Sequence, residues 1–144
     1  MDLVGRKIAR EGGATARAWL AELKKLDAKL AAHPEIRKAL ADGVKAVEEC
    51  VDFIVGAKDP RVQFAGAVPF LKLMGVVAGG WQMARAALAA DTIQGGDQEF
   101  LKAKKATARF YADHVLMQAP GLRNTVVNGA PGVLALSEDQ FLAA

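Results

Sequence analysis

Residues 68–88, V-P-F-L-K-L-M-G-V-V-A-G-G-W-Q-M-A-R-A-A-L, restrict the fold of this chain more than any other stretch. A surface helix carries one apolar stripe, but here apolar residues run nearly all round the circumference, which predicts a central helix walled in by others. A membrane span needs ~20 apolar residues with almost no charge, and Lys72, Gln82 and Arg85 leave only a short clean run over residues 73–81. No membrane partner is expected. Plotted at ~100° per residue, Lys72, Gly75, Gly79, Gln82 and Ala86 share one narrow strip. Gly75 and Gly79 have the G-x-x-x-G spacing that lets a neighbouring helix approach, so the strip reads as a packing groove. Pro69 starts this helix or kinks one that began earlier, because it lacks an amide donor and its ring crowds the carbonyl four residues back.

The flanking sequence is helical throughout. Asp2 is placed to cap a first helix with Leu3, Val4 and Ile8 on its apolar face, and Gly12-Gly13 predicts a bend. Trp19, Leu23, Leu26 and Leu30 recur four, three and four apart, an amphipathic pattern that stops at Ala32-His33. Pro34 opens a second helix with Ile36, Leu40, Val44, Val47, Val51 and Ile54 inside, and charges alternating in sign outside. Gly56-Ala57-Lys58 ends it, and Asp59-Pro60 opens a third helix that is expected to run unbroken through the central stretch to about Ala90. Asp97 caps a fourth, whose inner face is read as Phe100, Ala103, Thr107, Phe110, His114 and Met117. Pro120-Gly121 breaks that helix, the residues before Pro131 support only a short helix or turn, and Ser137-x-x-Gln140 has capping-box spacing for a last turn carrying Phe141. No stretch alternates with period two. The fold expected for residues 1–144 is therefore one all-α domain, an up-down bundle of four main helices with short helical additions at the carboxyl end.

Little in the sequence carries chemistry. The residues three before His33 and His114 are Leu30 and Tyr111, so the Glu-x-x-His pairs of helical metal sites are missing, as are H-E-x-x-H, C-x-x-C and phosphate-loop spacings. No metal site and no catalytic residue is expected. His114 reads as a hydrogen-bonded core residue, His33 as an exposed turn residue, and Glu48-Glu49 as partners for nearby cations, since adjacent helical residues diverge by ~100°. Cys50, the only cysteine, lacks electropositive neighbours and reads as a packed thiol. With no internal disulfide available, a reducing, cytoplasmic setting is expected. The net charge of +3 is spread along the chain without interleaved aromatics, which argues against a nucleic-acid partner. Within the cluster Lys102, Lys104, Lys105 and Arg109, the residues Lys102, Lys105 and Arg109 are candidate contacts for an anion such as the phosphates of coenzyme A.

Four segments together carry a family resemblance: D-L-V-G-R-K-I from Asp2, V-P-F-L-K-L-M-G-V-V-A-G-G-W-Q-M-A-R-A-A from Val68, F-L-K-A-K-K-A-T-A-R-F-Y-A-D-H-V-L from Phe100, and S-E-D-Q-F from Ser137. Over essentially its whole length the chain resembles the carboxyl-terminal portion of the large bacterial acyl-CoA dehydrogenases, the branch that adds a helical domain beyond the flavoenzyme core and includes methylmercaptopropionyl-CoA dehydrogenases. The resemblance implies a parent that uses FAD to dehydrogenate an acyl-CoA thioester between its α and β carbons. In that family the catalytic glutamate lies in a Tyr-Glu-Gly-Thr segment, with an Ile-Gln pair near the flavin, and both come before the helix bearing L-V-G-R-K. No catalytic or cofactor-binding residue of the family therefore maps onto a position of this chain.

The resemblance further implies an upstream dehydrogenase core as partner, and FAD in the parent but no cofactor in this segment. Apolar surface uncovered by separation from that core predicts self-association into a homo-oligomer, in the first place a homodimer, with Leu3, Val4 and Ile8 of the first helix contributing. The segment alone is expected to be inactive, with a structural, subunit-contact or substrate-channel role. The alternative from the residues themselves is a freestanding helical interaction module that pairs through its Gly75/Gly79 groove. A basic nucleic-acid-binding bundle ranks third.

Overall fold

A computed structural model describes residues 2–142, and among these there is no strand. The chain opens with a π-helical turn, Leu3–Ile8, and a 3-10 turn, Ala9–Glu11. Asp2 does not cap it. Its backbone is already helical and its carboxylate pairs with Arg6 one turn on. Val4 and Ile8 are buried within this chain. Gly12 and Gly13 then take left-handed φ values of 59° and 81°, which gives the expected bend. They lead into α1 (Ala14–Lys24), whose buried residues are Ala16, Leu20 and Leu23. A 3-10 segment, Ala28–Ala32, follows and buries Leu30.

Helix α2 (Pro34–Gly56) has the expected bounds and inner face. Asp59 accepts a hydrogen bond from the Arg61 amide and opens α3 with Pro60 in its first turn, but α3 stops at Ala65. The expected single helix through the central stretch is in fact two. Gly66 leaves helical geometry (φ −89°, ψ 3°), and α4 runs Ala67–Thr92 with Pro69 in its first turn, where a missing amide donor costs nothing. Gly66 also lies against Val126, whose carbonyl would sit 3.2 Å from an added Cβ, so the break brings a later helix close.

Helix α5 (Gln98–His114) starts on Asp97, whose side chain accepts from the amides of Glu99 and Phe100. A 3-10 turn, Leu116–Gln118, passes into α6 (Ala119–Asn128), then α7 (Ala130–Val133) and α8 (Glu138–Leu142). The α8 start makes one half of a capping box, with the Ser137 amide donating to Gln140 Oε1 at 2.9 Å. Of the short helix or turn expected there, α6 is the helix, and it packs on both α2 and α4 with its Val126 buried.

Helix α4 is the hub. It contacts α2, α5 and α6, and buries Phe70, Leu73 and Val77 completely. It is not walled in all round, however. Val68, Leu71, Lys72, Gly75, Gln82 and Arg85 form an exposed edge, so the strip read as a packing groove faces outward over most of its length. Nothing lies within 4 Å of where a Gly75 Cβ would be. The close approaches fall at Gly79 and at Gly80, one step round the helix from it. Tyr111 lies over Gly79 and donates its hydroxyl to the Val76 carbonyl (3.1 Å), while Leu116 fills the hollow at Gly80. The spacing that matters is the adjacent Gly79-Gly80 pair.

The rotation of α5 also differs from the sequence reading. Its buried residues are Leu101, Ala108 and Ala112, continued by Leu116, with Tyr111 and Val115 half-buried. The residues read as its inner face are the outer one: Phe100, Phe110 and Met117 are all more than half exposed, and His114 stacks on Phe110 in the open with ring centroids 4.5 Å apart. The cause is physical. A slender seam of small side chains lets α5 lie close against α4, where a row of aromatics would hold it away.

Candidate functional site: the cationic edge of α5 and its exposed aromatic face

Spacings of three and four place Lys102, Lys105 and Arg109 along one edge of α5, and each meets a carboxylate. Lys102 pairs with Glu99 one turn back at 2.7 Å. Lys105 reaches Asp91 at the end of α4 at 3.2 Å. Arg109 binds Asp113 at 2.7 Å and Glu35, in the first turn of α2, at 3.1 Å. The row is therefore balanced by four acids, and two of its three members tie α5 to other helices.

Asp91 is the junction of this edge. Its Oδ2 also accepts from His33 Nε2 at 2.5 Å. His33 is thus no loose turn residue: its side chain is only 16% exposed, and it joins the start of α2 to the end of α4. The hydrogen bond from His33 holds the Asp91 carboxyl below the ordinary carboxylate range; Lys105 adds to this, and partial burial opposes it. A depressed carboxyl pKa means that the stabilisation is complete above the unfolded value and is lost as pH falls through the folded one. The wild type should therefore lose more stability than Asp91→Asn between about pH 5 and pH 2.5, with the difference limited to about 1 kcal/mol by solvent screening. Thermal melts across that range check it, and parallel curves would mean that the junction carries no net interaction.

Cys50 is fully buried on α2, and burial pushes its thiol up to about 12, well away from nucleophilic reactivity. Glu48 pairs with Lys24 at 2.5 Å and Glu49 with Arg123 of α6, so both glutamates are engaged across helices. Among the described residues, no group of three or more His, Cys, Asp or Glu side chains is placed to hold a metal ion, and no helix is long and apolar enough to cross a membrane.

The feature that sequence reasoning misplaced is the aromatic face of α5. Phe100, Ala103, Thr107, Phe110, His114 and Met117 follow the three-four alternation of a helix-docking seam. Nothing in the described chain covers it. Val68 and Leu71 at the start of α4 are likewise exposed, by 78% and 60%. The missed signal was the second stripe, Leu101, Ala108, Ala112, whose small residues contribute little to a hydropathy count but permit close packing.

Comparison with known proteins turns these features into a family assignment. Residues 13–137 match the family described as acetyl-CoA dehydrogenase C-terminal like. The chain belongs to this family. It is also 37% identical to the 3-methylmercaptopropionyl-CoA dehydrogenase of Ruegeria pomeroyi (strain ATCC 700808 / DSM 15171 / DSS-3), an alignment that covers 94% of this chain and 24% of that enzyme. The chain thus spans about a quarter of the length of this curated relative. No solved structure matches it significantly. As an acyl-CoA dehydrogenase C-terminal-like domain it is all-α, and the π-helical turn that carries L-V-G-R-K-I packs into its core through Val4 and Ile8.

Proposed function

We propose that this domain is a non-catalytic scaffold of a larger FAD-dependent acyl-CoA dehydrogenase, seated on the catalytic core through its exposed apolar faces. The observation that carries the reading is the pairing of near-complete coverage of this chain with coverage of only 24% of the dehydrogenase it resembles. The physical support is the uncovered surface. Two large side chains on α5, Met117 in the turn after it and two on α4 stand more than half in solvent, and such patches are stable in water when a partner covers them. In this reading the parent dehydrogenates a fatty acyl-CoA or a related thioester in the cytoplasm. Flavin and the proton-abstracting carboxylate belong to the upstream part, and two copies of the parent associate as a homodimer. The first helical turns are a poor contact surface, since Val4 and Ile8 are already buried. The α5 face takes that role. Coenzyme A contact at Lys102, Lys105 and Arg109 belongs to the same proposal, with the ligand's phosphates competing against Glu99, Asp91, Asp113 and Glu35.

The reading frame upstream of the Met1 codon tests the proposal most directly. An in-frame segment encoding Tyr-Glu-Gly-Thr is the expected result, and a ribosome-binding site after a stop codon would favour a freestanding helical module whose α5 face binds another protein. Purified with excess FAD, residues 1–144 should show no flavin band near about 450 nm, and no acyl-CoA oxidation with an artificial acceptor, because the cofactor and a positioned base are both required for that chemistry. A retained flavin band, or turnover above the protein-free control, would overturn the scaffold reading.

A further inference from the structure

We infer that the exposed face of α5 receives the α5 of a second copy of this chain, the two helices lying parallel and in register about a two-fold axis. The inference rests on the homodimer reading above, and adds to it the orientation of the pair and the residues that set it. Numbered as a heptad, Phe100, Thr107 and His114 fall at a and Ala103 and Phe110 at d, with Met117 of the following turn at the next d. All six positions are exposed, while the other side of the helix is buried in its own chain through Leu101, Ala108 and Ala112. The small Ala103 and Thr107 separate the two phenylalanines, so hollows alternate with knobs along the seam. Such a face is complementary to a copy of itself.

Charge decides the orientation. In this numbering Glu99 stands at g and Lys104 at e, on opposite edges of the seam, and in a parallel pair a g side chain reaches the e position five residues further along its partner. Glu99 and Lys104 have that spacing, so a parallel pair makes two Glu99–Lys104 contacts, one on each side of the axis. Both groups are free to form them. Lys102, Lys105 and Arg109 each meet a carboxylate of their own chain, but among the described residues Lys104 has none and lies at the rim of the seam, its Nζ 5.2 Å from the centroid of the Phe100 ring. Glu99 meets only Lys102 of its own helix, and its side chain is 81% exposed. An antiparallel pair would set each edge against its own copy, so that Glu99 and Asp113 line one side together and no Lys104 meets an acid. The seam runs for roughly five turns, less than a standard interface, so dissociation in the micromolar range is expected. Val68 and Leu71 of α4 are left for the catalytic core.

Sedimentation equilibrium of residues 1–144 tests the inference, with circular dichroism to show that each variant is folded. The wild type should self-associate, and Phe110→Asp should abolish the association. Glu99→Lys and Lys104→Glu should each weaken it by at least about tenfold, since each turns two attractions into two repulsions. The double variant, with the charges exchanged, should return to within about threefold of the wild type, a rescue that damage to the folded monomer would not give. In a glutathione redox buffer, Ala103→Cys should form a disulfide-linked dimer. A parallel pair brings the two Cα atoms within ~7 Å, whereas an antiparallel one holds them at least ~12 Å apart, and the buried Cys50 cannot compete. If Glu99→Lys does not fold, Lys104→Glu and Ala103→Cys decide. The inference fails if the wild type stays monomeric at high micromolar concentration, or if Phe110→Asp associates like the wild type, which would put the contact on another face. It fails equally if the folded double variant is not rescued, or if Ala103→Cys does not cross-link. The scaffold reading survives each of these outcomes, because it stands or falls on the upstream reading frame and the flavin test.

Discussion

Phe70→Ala should lower the stability of this domain by ~3–5 kcal/mol, the range for removing a fully buried aromatic side chain. Phe70 is 0% exposed and is the largest fully buried side chain described, on the helix that contacts α2, α5 and α6. Its loss removes burial from several interfaces at once, and the surrounding helices cannot all move in to close the gap. Leu71→Ala, one residue along, is the internal control. That side chain is 60% exposed, and its removal should stay within about 0.5 kcal/mol. Urea unfolding of both variants checks the pair. Equal effects would mean that α4 does not turn Phe70 into the core and Leu71 away from it.

The second large effect is expected at Gly80. A Cβ there would sit 2.6, 2.7 and 2.8 Å from Cδ1, Cδ2 and Cγ of Leu116, so the branch point of the leucine as well as its tips must move. Gly80→Leu should therefore cost about 3 kcal/mol or more, because overpacking outweighs the ~1 kcal/mol gained in helix propensity. Gly79→Leu should cost less. Its clash is with the far end of the Tyr111 side chain, at the hydroxyl oxygen, and that ring can swing out at the loss of its bond to the Val76 carbonyl. Gly75→Leu meets open space and should be neutral or stabilising. Melting temperatures should rank Gly75→Leu highest and Gly80→Leu lowest. A Gly75 variant as damaged as the Gly80 variant would restore the G-x-x-x-G groove that the structure replaces.

Elements with one dominant stripe and clear ends were legible in the sequence. Helix α2 was readable from Pro34 to Gly56 because its apolar residues lie on one side, its charges on the other, and a proline marks its start. The caps Asp59 and Asp97 and the bend at Gly12-Gly13 were equally plain, because each rests on local chemistry. What escaped depended on non-local choice. Helix α5 has two apolar faces, and periodicity cannot say which meets the core; the structure buries the slender one against α4 and leaves Phe100, Phe110 and Met117 outside. The break at Gly66 escaped because glycine is tolerated inside helices, and only the approach of Val126 from α6 gives it a reason. His33 seemed to belong to a free turn because its partner Asp91 is 58 residues away. The candidate cations shared an edge, as their spacing required, but the acids from α2 and α4 that match them could be placed only by the fold.

Cys50 gives the domain a built-in clock for its own unfolding. Burial pushes the thiol up to about 12, so little thiolate forms at neutral pH, and the fully buried sulfur is closed to reagents even then. Labelling by a thiol reagent must wait for the α2 packing to come apart, so its rate reports how often that happens. Measured over a range of reagent concentrations, this rate separates the frequency of opening from the speed of reclosing without denaturant. The same single sulfhydryl would record how far a bound partner slows the opening, with no probe added to the chain.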